Sequence, residues 1–495
     1  MKVSRFRAIL LLLFAMSLIA AACGGGSDDE ADGGDTGGGG TETTAASTDG
    51  GGDGGTATTA AASGEAVEIR WFVGLGAGTD APLIPAQQAV VDEFNSTKPL
   101  GENITLKLDV APDADQAATL MQTQIVGGNA PDIAGPVGVK GAAQFFGGWL
   151  DIAPYIEGYD FSDFDPALVE FWQQGGVQLG LPFAVFPQIL WYNQDLFDEA
   201  GLAYPPQEFG APYVDADGNE KPWNMDTLRE LAIELTVDSN GLTPNDDGFD
   251  PNARVQWGFG NMFNDFRGNA TMFGAGSFVD EDNETCVFPE NWKTAAKWYH
   301  DALWVDHFHP DSTFGDSEIL GSGNWFNSGN IAMISIHTWY AGWGTADLAS
   351  EFDVAAMPAA PDGTITAKLH ADTIGIPKAT AHPAEAVEVL KWMMSPEIAP
   401  KLAAIYGGLP ARGSAQAAYI EDPANDFGFN WDVAVDALSY PDNPNHEGWW
   451  PNYLESTDAM NDWWTELSND PAADVDAGIA SFCDLLQPVY DRATS

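Results

Sequence analysis

Gly180-Leu-Pro-Phe-Ala-Val-Phe-Pro-Gln-Ile-Leu-Trp-Tyr-Asn-Gln-Asp-Leu-Phe-Asp-Glu-Ala-Gly201 is the stretch around which the chain is organised. Phe183 to Tyr192 is nearly all apolar and rich in β-branched and aromatic residues, with no helix-length continuation. That pattern fits a strand buried on both faces. Pro187 lacks an N–H, so pairing is expected to break or shift there. Asn193 and Asp195 can cap a helix. Leu196, Phe197 and Ala200 then share one helical face, and Gly201 ends it. The stretch predicts a core strand that turns directly into a short helix.

Working outward, 495 residues at 45% hydrophobic content can bury a large core, and the length points to two or three domains. The net charge of −54 repels phosphate backbones, which argues against a nucleic-acid partner. The acidity itself reads as a solvating surface. No HExxH, CxxC or nucleophile elbow occurs, so neither catalysis nor a cofactor or metal is expected. Gly74-Leu-Gly76-Ala-Gly78-Thr79 falls short of a dinucleotide fingerprint.

The amino terminus reads as an export signal. Lys2, Arg5 and Arg7 form a basic region, and Ala8 to Ile19 is apolar but too short for a stable span. Leu18-Ile-Ala-Ala-Ala-Cys23 is similar to the bacterial lipobox, with Ala20 where Leu is usual, and marks Cys23 for lipidation. Residues 24–65, mostly Gly, Thr, Ser, Ala and Asp with no aromatic residue, read as a disordered tether. No later stretch approaches transmembrane length. Of the other cysteines, Cys286 and Cys483 are either a disulfide or two buried thiols, since sequence supplies no geometry.

Folding begins with a strand over Val67 to Val73. The loop Gly74 to Asp80 follows, where backbone can approach a ligand closely. A helix through Ala89, Val90, Glu93 and Phe94 comes next, then a strand over Ile104 to Val110. A helix over Gln116 to Ile125 stops at Gly127-Gly128, and a third strand opens at Pro131. This βαβαβ order argues for a parallel sheet. Further on, Asp238 to Asp250 is dense in oxygen ligands, but its spacing departs from an EF-hand, so a solvated turn is the favoured reading. His307 and His309, with Asp306 and Asp311, invite a metal reading; without a third histidine a structural role is favoured.

Several segments resemble, in family order, the signatures of extracellular solute-binding protein family 1. These are the maltose-binding-protein-like lipoproteins that deliver carbohydrates to ABC importers. The organising stretch with Pro205-Pro206 is one. Others are Thr123 to Ala134, Leu150 to Ile156, Lys221 to Glu230, Gln256 to Phe259 and Phe326 to Trp339. Phe352 to Pro358, His370 to Pro377, Ala384 to Glu397 and Gly408 to Arg412 continue the series. The resemblance covers nearly the whole chain from Val67.

It implies an α/β, two-lobe periplasmic-binding-protein fold, the Venus-flytrap arrangement. Each lobe would be a mostly parallel sheet flanked by helices, with three hinge crossings. Lobe one would be residues 66–186 plus 373–411, and lobe two 187–372 plus 412–495. The ligand would lie in the cleft between them. Trp339 matches the position of an aromatic ring under a sugar, and the physics agrees, because a flat ring covers the C–H face of a pyranose. The expected site adds Gly78, Thr79, Asp80 and Lys140 from lobe one, and Phe186 and Gln188 from the hinge stretch. Trp257, Tyr340, Trp343, His370, Asp372, Arg412, Trp449 and Trp450 complete it. Where maltose-binding relatives keep a carboxylate in the hinge, this chain has Phe186-Pro187-Gln188, so a different or more apolar saccharide face is expected. In this resemblance Cys286 and Cys483 both fall in lobe two.

The implied partners are a carbohydrate, the membrane permease of an ABC importer and the lipid anchor. The chain would act as a monomer on the outer face of the bacterial membrane. Two rival readings stand beside this one. A secreted glycoside hydrolase would use paired carboxylates, but with 73 Asp and Glu residues the count discriminates nothing. A binding protein for a non-sugar such as a polyamine fits the acidic surface, whereas 19 basic residues argue against an anion.

Overall fold

The computed structural model describes residues 66–493, except 175, 281–283, 346–347, 349 and 443–449. The signal, lipobox and tether of residues 1–65, and Trp449, lie outside the described residues.

Strand β1 (Val67–Val73), helix α1 (Ile84–Thr97), strand β2 (Ile104–Val110), helix α2 (Ala114–Val126) and strand β3 (Ile133–Val137) form the expected βαβαβ unit. β1 pairs in parallel with both β2 and β3. Asp113 caps α2 by accepting the Gln116 amide. A short helix α3 (Val139–Ala143) follows β3.

The organising stretch is strand β4 (Gly180–Asn193), buried at all 14 positions. The Asn193 side chain accepts the Leu196 amide and starts helix α4 (Gln194–Ala200); Gly201, at φ +70°, ends it in the left-handed region that glycine adopts freely. Helix α5 (Met225–Glu234), strands β5 (Val237–Asp238) and β6 (Arg254–Asn261), helices α6 (Phe266–Ala270) and α7 (Glu290–Trp304) and strand β7 (Ile331–His337) come next. Strands β8 (Phe352–Ala355), β9 (Leu369–Gly375) and β10 (Leu409–Pro410) precede two long helices, α8 (Tyr453–Asn469) and α9 (Val475–Ala493).

One path of strands runs β2-β1-β3-β9-β4-β7-β6-β5, with β8 and β10 also paired to β4. Pairing is parallel between β1 and both β2 and β3 and between β6 and β7, while the edge strand β5 runs antiparallel to β6. The central joints to β4 are antiparallel. β4 changes partners on both edges near its middle. Residues 180–187 lie against β9 and residues 190–193 against β8. On the other edge β10 meets Val185 and Ala184, and β7 takes over from Gln188 to Tyr192. Pro187 pairs in regular register with Leu369, and beyond it the Gln188 amide still donates to the Lys368 carbonyl, so the expected break does not occur on this edge. The register slip, however, falls at Phe183, which the ladder skips between Ala184 and Pro182.

Beyond β4, the C-terminal helices close over an aromatic cluster of Phe278, Phe288, Trp463 and Phe482. Cys286 and Cys483 form a disulfide, Cα–Cα 5.4 Å, that ties the hairpin ending at Cys286 to α9. α8 also touches α3. Among the described residues no helix is long and apolar enough to cross a membrane.

Candidate functional site

At the middle of β4, Phe186 stands opposite His370 of β9 and Gln188 opposite His337 of β7. Residues two apart on a strand share a face, so Phe186, Gln188 and their partners crowd one side of the crossing. The two imidazoles stack there, ring centroids 3.5 Å apart and 14° from parallel. Trp339, just past β7, donates its indole N–H to His370 Nδ1 at 3.3 Å. A ring nitrogen that accepts is unprotonated, so the proton of neutral His370 sits on Nε2. The indole also lies nearly parallel to His337, at 6.2 Å.

Burial, and then the nearby charge of Lys368, holds His337 well below the usual histidine range, so it is neutral. Both of its ring nitrogens are buried without a partner. Gln188 donates to Ser335 Oγ at 2.6 Å, which leaves its Oε1 unpartnered. The Thr338 hydroxyl is in the same condition.

Asp372, two residues beyond His370 and so on the same strand face, lies opposite Ala184. Burial alone pushes its carboxyl up to about 7, although part of the residue is still reached by solvent. Tyr406 is buried with its hydroxyl unpartnered. Its ionisation is pushed up by burial and then by the charge of Asp372. Gly78, at φ +97°, lies against the Tyr406 ring, and a side chain there would collide with Val73. Thr79 is half-buried beside Gly74, while Asp80 and Lys140 are exposed.

Phe263 was not foreseen. It is 51% exposed, its ring centroid is 5.7 Å from that of Trp339, and it holds φ +56°. That conformation is unusual for a bulky residue, and such strain concentrates at functional sites. No periodicity in Asn261-Met-Phe-Asn-Asp265 signals it. His337, Ser335 and Tyr406 were also missed, because their importance lies in unsatisfied or cross-strand contacts.

Four expected residues are scaffold instead. Trp257 is 0% exposed and packs beneath Arg254 and against Phe314, at the end of β6 remote from the crossing. Tyr340 is buried edge-on to Trp191 and donates to Asn324. Trp450 is buried against Phe278 and Tyr453. Arg412 is fully engaged: it donates to the Met394 carbonyl, Asp163 and Tyr159, and its guanidinium lies over Phe164. Packing covers the rings of Trp257, Tyr340 and Trp450, although the indole N–H groups of Trp257 and Trp450 have no partner, and an ion pair occupies Arg412. Trp343 belongs to a short helix, Ala341–Gly344.

The two other polar clusters are held by contacts of their own. Asp238 accepts the amides of Leu242, Asn240 and Asp250, which hold its pKa down and shape the loop. His307 and His309 bond to the Leu303 and Pro310 carbonyls, while Asp306 and Asp311 pair with Arg229 and Arg254. Among the described residues no group of three or more His, Cys, Asp or Glu is placed to hold a metal ion.

The crossing thus offers two aromatic faces, at Trp339 and Phe263, above fully buried polar atoms of Gln188, His337 and Thr338 that have no protein partner. Such a set can cover an apolar ring face while exchanging hydrogen bonds with its substituents.

A sequence model of the bacterial extracellular solute-binding proteins matches residues 80–400. No curated protein sequence matches the chain. Among solved structures, an ABC substrate-binding protein from Listeria monocytogenes in complex with cycloalternan superposes with a TM-score of 0.66. It shares 20% identity and covers 87% of this chain and 100% of its own. Maltose-bound MalE3 of T. maritima gives 0.63 at 18% identity, covering 86% and 100%. UgpB of Mycobacterium tuberculosis in complex with glycerophosphocholine gives 0.66 at 17% identity, covering 87% and 100%. The fold they share with this chain is the two-lobe periplasmic-binding-protein fold.

Proposed function

The chain belongs to the bacterial extracellular solute-binding protein family, and on that premise we propose that it captures a carbohydrate and delivers it to the permease of an ABC importer. The observation that carries this reading is the half-buried indole of Trp339, paired with exposed Phe263 and bonded to His370. A sugar ring stacks on such a platform. Its hydroxyls find donors and acceptors in His337, Gln188 and Asp372. Solved proteins of the same fold have been captured with cycloalternan or maltose bound, which supports a saccharide.

In this reading the lobes are residues 66–186 with 373–411, and 187–372 with 412–495. β4 and β9 are two of the crossings, and the stretch around β10 is the third. The exchange of partners at Pro187 and Gln188 supports a hinge there. Ligand selects the closed arrangement, which the permease recognises. The signal ends at Cys23, which carries lipid, and residues 24–65 tether the folded part to the outer face of the membrane. Gly78, Thr79, Asp80 and Lys140 face the ligand from lobe one.

Thermal-shift screening of the full chain against mono- and oligosaccharides tests the function. A ligand that binds only the folded form raises the melting temperature by mass action. A rise with one saccharide family, lost in Trp339→Ala, is expected. Hydrolysis of a chromogenic glycoside, or silence towards every saccharide, overturns it. Metabolic labelling with a radioactive fatty acid, lost in Cys23→Ser, checks the anchor.

A further inference from the structure

Near the carboxyl end of β6 a separate recess of about 380 Å³ opens between α6, α7, α8 and residues 309–316. None of the crossing residues lines it. Asn261 does, is 8% exposed, and turns its Nδ2 to the Met272 sulfur at 3.6 Å, so that its Oδ1 is left buried without a partner. Asn269 Oδ1 is likewise buried and unpartnered. His309 lines the same space. Its Nδ1 is 2.9 Å from the Pro310 carbonyl, which can only accept, so Nδ1 carries the proton and Nε2 presents a lone pair. Burial pushes His309 down to about 4, which keeps it neutral at working pH. Asn261 Oδ1, Asn269 Oδ1 and His309 Nε2 are therefore acceptors left for a ligand, in a recess also lined by the hydroxyl residues Tyr299, Ser312, Thr465 and Ser468. Trp325 and Trp464 supply indole walls, and Asp316 lines the recess with no ion pair among the described residues.

We propose that this recess is a second ligand site, distinct from the crossing, that takes a primary ammonium group carried on a small hydrophilic body. An ammonium has three donors and no acceptor, which complements three lone pairs. Indole faces attract a cation, and so does Asp316. The net charge of −54 draws cations towards the whole molecule. The ammonium has two sources, an alkyl diamine or an amino sugar.

Calorimetric titration of the full chain with putrescine and glucosamine, beside the neutral 1,4-butanediol and glucose, tests this. Trp339→Ala serves as background, so that binding at the crossing does not contribute. Saturable binding of putrescine alone identifies the diamine source; binding of glucosamine alone identifies the amino sugar. Either is expected to weaken tenfold or more in Asn261→Leu, and severalfold in Asp316→Asn. Should Asn261→Leu fail to fold, Asp316→Asn decides, because it lies at the surface. Equal binding of the neutral compounds, no binding of either amine at millimolar concentration, or unchanged affinity in Asp316→Asn each overturns the site. The saccharide reading of the crossing is judged by Trp339→Ala alone, so the two fail separately.

Discussion

Asp372 and Arg412 approach the centre of the sheet from opposite edges of the same strand position. Ala184 of β4 faces Asp372 on one side and Pro410, two residues before Arg412, on the other. Both charged residues stood out in the sequence for the same reason, and the structure separates them. The Arg412 guanidinium spends its donors on Met394, Asp163 and Tyr159 and covers its face with Phe164. Asp372 has no hydrogen-bond or ion-pair partner among the described residues, and burial alone perturbs it. A charge whose contacts are complete holds the scaffold together. A charge left incomplete where solvent still reaches is available to a ligand. The aromatic residues divide the same way: Trp257 is closed into the core, and Trp339 keeps an open side.

The sharpest way to break this contrast is to attack the satisfied partners first. Arg254, beneath whose guanidinium Trp257 packs, forms an ion pair with Asp311 in which both side chains are almost wholly buried. Arg254→Met should cost about 3–5 kcal/mol, because it strands a buried carboxylate. Chemical denaturation measures it, and a loss below about 1 kcal/mol would remove the pair from the scaffold. Arg412→Met should cost less, about 2 kcal/mol, since Asp163 is partly solvated. It should leave saccharide affinity unchanged. A fall in affinity without a fall in stability would return Arg412 to the site.

Trp339→Ala should do the opposite. Its half-exposed ring contributes little to folding, but losing a stacking face should weaken saccharide binding at least tenfold, about 1.4 kcal/mol. Calorimetry and a melting curve on the same variant separate the two effects.

Asp372 sharpens the comparison through pH. Its folded pKa, about 7, lies above the ordinary 3.8. The native state therefore holds the proton more tightly than the unfolded chain between those values. Stability is full below about pH 4 and declines as pH rises to about 7. Asp372→Asn removes that decline. It should match the parent at pH 4 and exceed it at pH 8 by about 1–3 kcal/mol, a range reduced for the solvent that reaches the carboxyl. Parallel melting curves from pH 4 to 9 test it, and identical pH profiles would show that the carboxyl is ordinary. The smallest effect is expected at Phe263. Phe263→Gly relieves a positive φ and should change stability by under about 1 kcal/mol while weakening saccharide binding a few-fold.

Much of this architecture is legible in local sequence. The first three strands, the helix cap at Asn193 and the stop at Gly201 follow from residue type and spacing. The unbroken apolar run of β4 announces a strand buried on both faces, whereas the register slip at Phe183 was not signalled by Pro187. Trp339 was legible because it sits in a motif. Phe263 was not, since its importance comes from a backbone conformation and a neighbour 76 positions away.

The sequence by itself determined the periodicities, caps and turns, because those depend on residues within a few positions of one another. Tertiary structure alone decided which conspicuous side chains are site and which are scaffold. Arg412 finds Asp163 across 249 positions, Arg254 finds Asp311 across 57, and Cys286 finds Cys483 across 197. Whether a polar group is satisfied depends on every neighbour the fold brings within hydrogen-bond reach. That quantity has no local signature, and here it separates Asp372 from Arg412.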